Sequence, residues 1–421
     1  MSKIEVDTIA PQSGTTVTLG ESGDTVNIPS GVTLTNSGTA TGFGISWQSD
    51  IKTSAFTAVA GEGYFCNTTS SAITVTLPSG NIGDTIELVD YAGTFLTNNL
   101  TITPDGSEKI EGSTDNKLLA TSKQGLQLVY SGASFGWVVP TASREGTNPF
   151  YVAPYDIDFL VIAGGASGGE TIGGGGGAGG YRESTQTVNE GTVITVTVGD
   201  GGAAVTSPSG AGNSGSNSSI SGSGLTTITS AGGGGGGAAG VNGGSGGGGG
   251  FNAEPGGSGN TPATTPSQGN NGGSATFNVA GGGGGAGGVG TNASDPNAGN
   301  GGAGSASSIT GSSVTRAGGG GGGARAGYNA GSGGTGGGGA GSALGGGSPA
   351  TSGTANTGGG GGGAGYDPST LSGTSGAGGK GVVILSVPTA SYSGTTTGSP
   401  TVTTSGSNTI MQFNGSGSYT A

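Results

Sequence analysis

Residues 155–181 read Tyr-Asp-Ile-Asp-Phe-Leu-Val-Ile-Ala-Gly-Gly-Ala-Ser-Gly-Gly-Glu-Thr-Ile-Gly-Gly-Gly-Gly-Gly-Ala-Gly-Gly-Tyr. A strand-like stretch, 155–163, stops at Gly164, and a pure glycine run follows at 173–177. The same alternation recurs along the chain. Thr192-Val-Ile-Thr-Val-Thr-Val ends at Gly199. Further strand candidates are Leu225-Thr-Thr-Ile-Thr, Ser313-Val-Thr-Arg, Gly381-Val-Val-Ile-Leu-Ser-Val and Thr409-Ile-Met-Gln-Phe. Further glycine runs lie at 232–237, 246–250, 281–285, 318–323, 336–339 and 358–363. Ser218-Ser-Ile-Ser-Gly precedes Ala231 and one run, and Ser307-Ser-Ile-Thr-Gly precedes Ala317 and another. A repeated unit of strand then glycine run is an architectural pattern.

Three accounts of the runs compete. A flexible Gly/Ser linker needs no such recurrence. Phosphate-cradling loops need Gly-Lys followed by Ser or Thr, and the nearest match, Gly379-Lys380-Gly381, lacks the hydroxyl. Packed polyglycine II helices have a mechanism. A left-handed helix of three residues per turn makes no internal hydrogen bonds, so its buried N–H and C=O groups must bond to neighbours. Glycine lets such helices approach on every side. The expected result is a slab whose core is backbone, held between flanking strands and joined by surface loops.

Composition agrees. Of 421 residues 107 are glycine, 18 of them before residue 151 and 89 after it, with no Gly-X-Y period, which excludes collagen. Charge is sparse and acidic: 10 basic and 23 acidic side chains, net −13, with no histidine. A chain this poor in cations does not build a phosphate-tracking surface, so no nucleic-acid partner is expected. The lack of histidine excludes a histidine general base and ordinary zinc enzyme sites. One cysteine, Cys66, excludes an internal disulfide framework. It reads as a buried small hydrophobe. The longest apolar run is only a few residues, so membrane insertion is not expected. The N-terminus lacks the pattern of a signal peptide.

The chain therefore reads as all-β with almost no α-helix; only Lys117–Ser122 suggests a helical turn. Residues 1–43, with Val17/Leu19, Val26/Ile28 and Val32/Leu34 between turn residues, read as short strands forming an attachment and oligomerisation segment. Residues 44–140 carry strand candidates at regular spacing and read as a small β-sandwich-like domain, with Trp47 and Trp137 as packing residues. Residues 141–150 read as a linker, 151–388 as the glycine-rich polyglycine II domain, and 389–421 as a C-terminal β segment. That last segment is expected to pack beside residues 151–163 or to reach a neighbouring subunit.

Asp158-Phe-Leu-Val-Ile-Ala-Gly-Gly, the run ending Gly179-Gly-Tyr-Arg, Gly191-Thr-Val-Ile-Thr-Val-Thr-Val-Gly-Asp-Gly-Gly and the closing Gly378-Gly-Lys-Gly-Val-Val-Ile-Leu-Ser-Val carry a resemblance. Over about residues 150–388 the chain resembles the glycine-rich domain of bacteriophage tail-fibre proteins. It is similar in texture to the polyglycine adhesins of T-even tail fibres, and residues 1–140 look like parts of marine phage appendages. The resemblance implies a virion protein made in the host cytoplasm. It would be anchored through its N-terminal part to other tail or fibre proteins, as a homotrimer, and would bind a host-surface glycan or outer-membrane protein through distal loops. The sequence departs from the adhesins in joining a β domain to the glycine domain and in adding residues 389–421.

In a glycine slab, large side chains stand out at loops. The receptor-binding candidates are Phe251, Glu254, Arg325, Tyr328, Tyr366 and Asp367, in or beside the connections 251–271, 289–299, 325–331 and 364–375. Aromatics among small polar residues make adaptable contact surfaces. Tyr181 and Arg182 read as structural. The carboxylate pairs Asp156/Asp158, Glu183/Glu190 and Glu108/Glu111 read as solvated strand or turn positions, so no enzyme, metal site or cofactor is expected. The alternative function is a purely structural fibre or decoration subunit.

Overall fold

A computed structural model describes residues 45–140, 149–206, 210–343, 350–368 and 371–421. The attachment segment read at 1–43 and most of the linker read at 141–150 lie outside the described residues. No α-helix occurs among the described residues, and the fold is all-β. The chain divides into two compact units, Met1–Tyr151 and Val152–Ala421.

The first unit contains β1 (Ser46–Trp47), β2 (Phe56–Thr57), β3 (Glu62–Cys66), β4 (Ile73–Thr76), β5 (Thr85–Asp90), β6 (Leu100–Thr103), β7 (Lys117–Leu119), β8 (Gly125–Tyr130) and β9 (Trp137–Val138). The first six strands alternate between two sheets, ordered β1-β3-β5-β8-β9 and β2-β4-β6-β7. Because of that alternation, β1, β3 and β5 pair in parallel, as do β2, β4 and β6. The apolar alternation aims Ile73 and Val75, or Leu126 and Leu128, into one shared core and their neighbours outward. Lys117–Ser122 is no helical turn: Leu119 pairs with Leu100 in β6 and is buried. Trp137 is fully buried, whereas Trp47 is 43% exposed and stacks on Phe65 at 4.8 Å. Cys66 is buried, and desolvation, with Asp90 adding to it, pushes its thiol up to about 12. Phe150 is buried in this core, so apolar packing reaches into the stretch that reads as a linker.

The second unit contains β10 (Tyr155–Ile162), β11 (Tyr181–Val188), β12 (Val193–Thr197), β13 (Ser218–Ser221), β14 (Ile228–Ser230), β15 (Ser305–Ser307), β16 (Val314–Arg316), β17 (Tyr366–Asp367), β18 (Leu371–Ser372), β19 (Val382–Pro388), β20 (Thr396–Thr397), β21 (Thr401–Ser405), β22 (Asn408–Phe413) and β23 (Gly417–Thr420). Two five-stranded antiparallel sheets, β11-β10-β19-β22-β21 and β14-β13-β12-β23-β20, share a core of Phe159, Val161, Leu385, Phe413, Ile194 and Tyr419. The opposite face of the first sheet buries Leu160, Ile162, Val382 and Ile384 against Ala178 and Ala317 at the ends of glycine runs. A strand covered on both faces needs a continuous apolar run, and this is why 159–163 and 382–385 are unbroken.

Residues 389–421 complete both sheets. β21 and β22 extend the first, and β20 and β23 extend the second. β22 lies beside β19 and not beside residues 151–163, because β10 already has β11 and β19 as neighbours.

Between the sheets' strands the chain runs back and forth as glycine segments. Run 173–177, with Ala178, hydrogen-bonds to six of them: 164–169, 232–237, 245–250, 281–285, 318–323 and 358–364. A strand in a sheet bonds to two neighbours at most, so these segments form no sheet. The partner recurs every third residue. Gly173 and Gly176 donate to Ala364 and Gly361 at 2.9 and 2.8 Å. Gly175 and Ala178 donate to Gly281 and Gly284 at 3.1 and 3.0 Å, and the carbonyls of Gly174 and Gly177 accept from Gly169 and Ala166, both at 2.9 Å. Glycine is required by approach: a Cβ on Gly174, Gly175 or Gly176 would stand 1.9, 2.0 or 2.2 Å from the oxygens of Gly248, Gly320 and Ala166. Asparagines supply acceptors that backbone does not. Asn242, Asn271, Asn292 and Asn300 take the N–H groups of Ser258, Gly259, Ser274 and Ser332 at 2.7 to 2.8 Å.

Candidate functional site

The glycine segments have two unlike ends. At one end Ala163, Ala178, Ala231 and Ala317 lead to or from the sheets. At the other, short loops reverse the chain, and these loops carry the large side chains.

The six candidate residues come together at the loop end. The Arg325 N–H donates to the Asn278 carbonyl at 2.9 Å, and the Ala326 N–H donates to the Tyr366 carbonyl at 2.8 Å, forming a bridge between 325 and 366. Tyr366 and Asp367 form β17, paired with β18. Tyr328 packs on a small cluster of Val279, Ala298 and Ala324. The Glu254 carbonyl accepts from Ala275 at 3.0 Å, which ties the loop of Phe251 to that of Phe277. The Phe251 and Phe277 rings lie 5.2 Å apart and are 37% and 58% exposed. Asp295 draws the third loop in, accepting the Thr276 hydroxyl at 2.5 Å and the Asn278 amide at 3.1 Å. The Asn329 amide donates to Asn297 Oδ1 at 2.8 Å and closes the fourth. The result is one surface built from residues 251–254, 275–279, 293–298, 325–329 and 366–367.

Two of its members and one buried neighbour escape a reading by composition. Phe277 and Asn278 lie between connections, although a lone aromatic just before run 281–285 was a usable signal. Glu170 is the third. It sits at the loop end between segments 164–169 and 173–177, and it is 7% exposed. Neither carboxylate oxygen has a hydrogen-bond partner. Desolvation raises its pKa above the ordinary carboxylate value. A lone acid flanked by glycine was its only sequence signal.

A family model described as a glycine-rich domain matches residues 141–388. The chain belongs to this glycine-rich domain family. No curated protein matches it. The family match stops at 388, yet the sheets that hold the glycine-rich domain together take β20–β23 from beyond it.

The paired carboxylates fall elsewhere in the two units. Asp156 and Asp158 accept the hydroxyls of Thr187 and Thr185, each at 2.6 Å. Glu108 accepts Tyr130 Oη at 2.8 Å, and Glu111 accepts the Val139 N–H at 2.6 Å. Asp158 and Glu183, on adjacent strands, line one cleft of about 420 Å³. Glu183 is held by the Tyr181 and Ser307 hydroxyls, both at 2.6 Å. Among the described residues no group of three or more Cys, Asp or Glu side chains is placed to hold a metal ion.

Proposed function

We propose that this protein is a receptor-binding fibre or appendage subunit of a bacteriophage particle. In this reading the glycine segments are packed polyglycine II helices, and they serve as a rigid mount for the loop end. The N-terminal part of the first unit, residues 1–43, attaches to other tail or fibre proteins, and the subunit works as a homotrimer in the virion. The loop surface of Phe251, Glu254, Arg325, Tyr328, Tyr366 and Asp367 contacts a host-surface glycan or outer-membrane protein.

One observation carries the reading. Six residues that interrupt glycine converge on a single surface at the loop end, with the Phe251–Phe277 pair exposed on it. Exposed aromatics among small polar residues are costly unless a partner covers them. The three-residue bonding period supports the polyglycine II assignment, because each helix then presents bonding groups in several directions around its axis.

The test is adsorption. The intact chain, added to host cells before phage, is expected to block infection, and Phe251→Ser/Phe277→Ser should reduce blocking at least tenfold with the fold unchanged. Blocking by the double variant at full strength would remove the loop surface from the reading. A folded chain that neither binds cells nor blocks would favour a purely structural subunit.

A further inference from the structure

A second site lies at the opposite end of the glycine segments, along β11. A cleft of about 360 Å³ runs between β11 and the segments 226–228 and 265–267, with Ser305 of β15 at its side. Its walls are tied together. Gln186 exchanges two hydrogen bonds with the Thr226 backbone, at 3.1 and 2.8 Å. The Tyr181 N–H donates to the Gln268 carbonyl at 2.8 Å, and Gln268 Oε1 accepts the Ala231 N–H at 2.8 Å. The cleft is therefore built before any ligand arrives, and such preorganisation lowers the cost of binding. Its lining is mostly hydroxyl and amide, with two aromatic residues, Phe159 and Tyr181.

Its charge is unusual for this chain. After residue 150 the sequence holds four cations: Arg182, Arg316, Arg325 and Lys380. Lys380 pairs with Asp200 at 3.1 Å, and Arg325 belongs to the loop end. Of the other two, Arg182 lines this cleft and Arg316 stands behind its wall, as the strand partner of Ser305. Arg182 spends one Nη1 hydrogen bond, a long one of 3.4 Å, on the Thr229 carbonyl. Arg316 pairs with Ser305 across the β15–β16 hairpin and acts electrostatically on Tyr181 and Glu183. It is 7% exposed, and its Nη1 has no acceptor. A buried guanidinium with an open N–H is expensive to keep. The acid nearby, Glu183, has both oxygens occupied by the hydroxyls of Tyr181 and Ser307. Asp158, beside the cleft, is likewise held by the Thr185 hydroxyl at 2.6 Å, so the acids are engaged and Arg182 is the charged lining group that keeps open N–H groups.

We propose that this cleft binds an acidic saccharide, one sugar unit carrying a carboxylate. The carboxylate takes the free N–H groups of Arg182 in forked geometry and lies in the field of Arg316 behind the wall. The sugar hydroxyls exchange hydrogen bonds with Ser184 and Thr226, on the side of β11 that Arg182 and Gln186 occupy, and with Ser267 at the rim. The volume is that of a small-ligand site. This site is separate from the loop surface and stands or falls independently of it.

The probe is a tetrasaccharide of alternating glucuronic acid and N-acetylglucosamine, titrated calorimetrically into the full chain. Neutral chitotetraose is the control. The acidic probe is expected to bind with a Kd of about 1 mM or tighter, and binding should weaken as salt is raised. Arg182→Ala should weaken it at least tenfold. Arg316→Gln should weaken it several-fold; if that variant does not fold, Ser267→Tyr, which fills the cleft from its exposed rim, should abolish binding instead. Lys117→Ala, in the first unit, should leave it unchanged. Equal binding of the neutral tetrasaccharide, no binding of either, or binding that survives Arg182→Ala would each overturn the proposal.

Discussion

The first unit and the glycine segments of the second solve the same problem with opposite materials. The first unit buries hydrocarbon: Leu88, Ile102, Leu128, Phe95 and Trp137 fill the space between two sheets. The glycine segments bury peptide groups, and almost every contact is N–H to C=O or backbone against backbone. A hydrocarbon core can repack when one side chain shrinks. A backbone core has no side chain to move, and each glycine is fixed by several neighbours at once. The apolar core that does exist in the second unit lies beside the glycine segments, in the sheets that hold their ends.

The largest effect should come from breaking those sheets. Deleting residues 389–421 removes two strands from each sheet and exposes Val383, Leu385, Ile194 and Val196. The second unit should then fail to fold, while the first retains its own cooperative transition. Calorimetry on the truncated chain would read this directly. A truncated chain with both transitions intact would mean that the glycine segments support themselves.

A matched pair of substitutions tests the two cores against each other. Leu128→Ala should cost the first unit about 2–5 kcal/mol and leave it folded. Gly175→Ala adds one methyl, but places it 2.0 Å from the Gly320 oxygen. It should cost the second unit more than the ~1–3 kcal/mol typical of overpacking in a side-chain core, because several backbone bonds must separate together. Denaturant midpoints of the two transitions measure both. A milder effect at Gly175 than at Leu128 would show that the backbone core yields after all.

The smallest effect expected is a gain. Glu170 is buried without a partner, and its folded-state pKa lies above its unfolded value. The folded state therefore holds its proton more tightly. This group leaves stability untouched at acid pH, and stability falls as pH rises through the carboxyl's unfolded and then its folded pKa. Glu170→Gln should raise the melting temperature of the second unit at pH 7 by a few degrees, with no gain at pH 3. An equal gain at both pH values would assign the effect to something other than charge.

The parts of the fold that local pattern reveals are those whose pattern has a local cause. β4 and β8 alternate because one face is wet. The run 159–163 ends at Gly164 and the run 382–385 begins after Gly381, because both faces are covered only within the sheet. β11, Tyr-Arg-Glu-Ser-Thr-Gln-Thr-Val, is hidden from such a reading. Its middle is exposed, and its pairing with β10 supplies the stability that its composition does not. β21 is hidden for the same reason: its threonines and Val402 are exposed at a sheet edge. The candidate site was legible as far as residue type goes, since Phe251, Tyr328 and Tyr366 stand out against glycine. Phe277 and Glu170 were not, because their importance lies in what surrounds them.

The sequence by itself determined that the chain is all-β, that it holds glycine runs between strands, and which large side chains lie at the turns between runs. Period, punctuation and composition act over a few residues and need no knowledge of the rest of the chain. Only the tertiary structure decided that the first unit's first six strands pair in parallel, that 389–421 completes both sheets, and that one glycine run has six bonded neighbours. It also decided that five separate stretches of chain share one surface. Glycine carries no side chain by which one run could be told from another. Which run meets which is therefore set by the sheets at their ends and by the lengths of the loops between them.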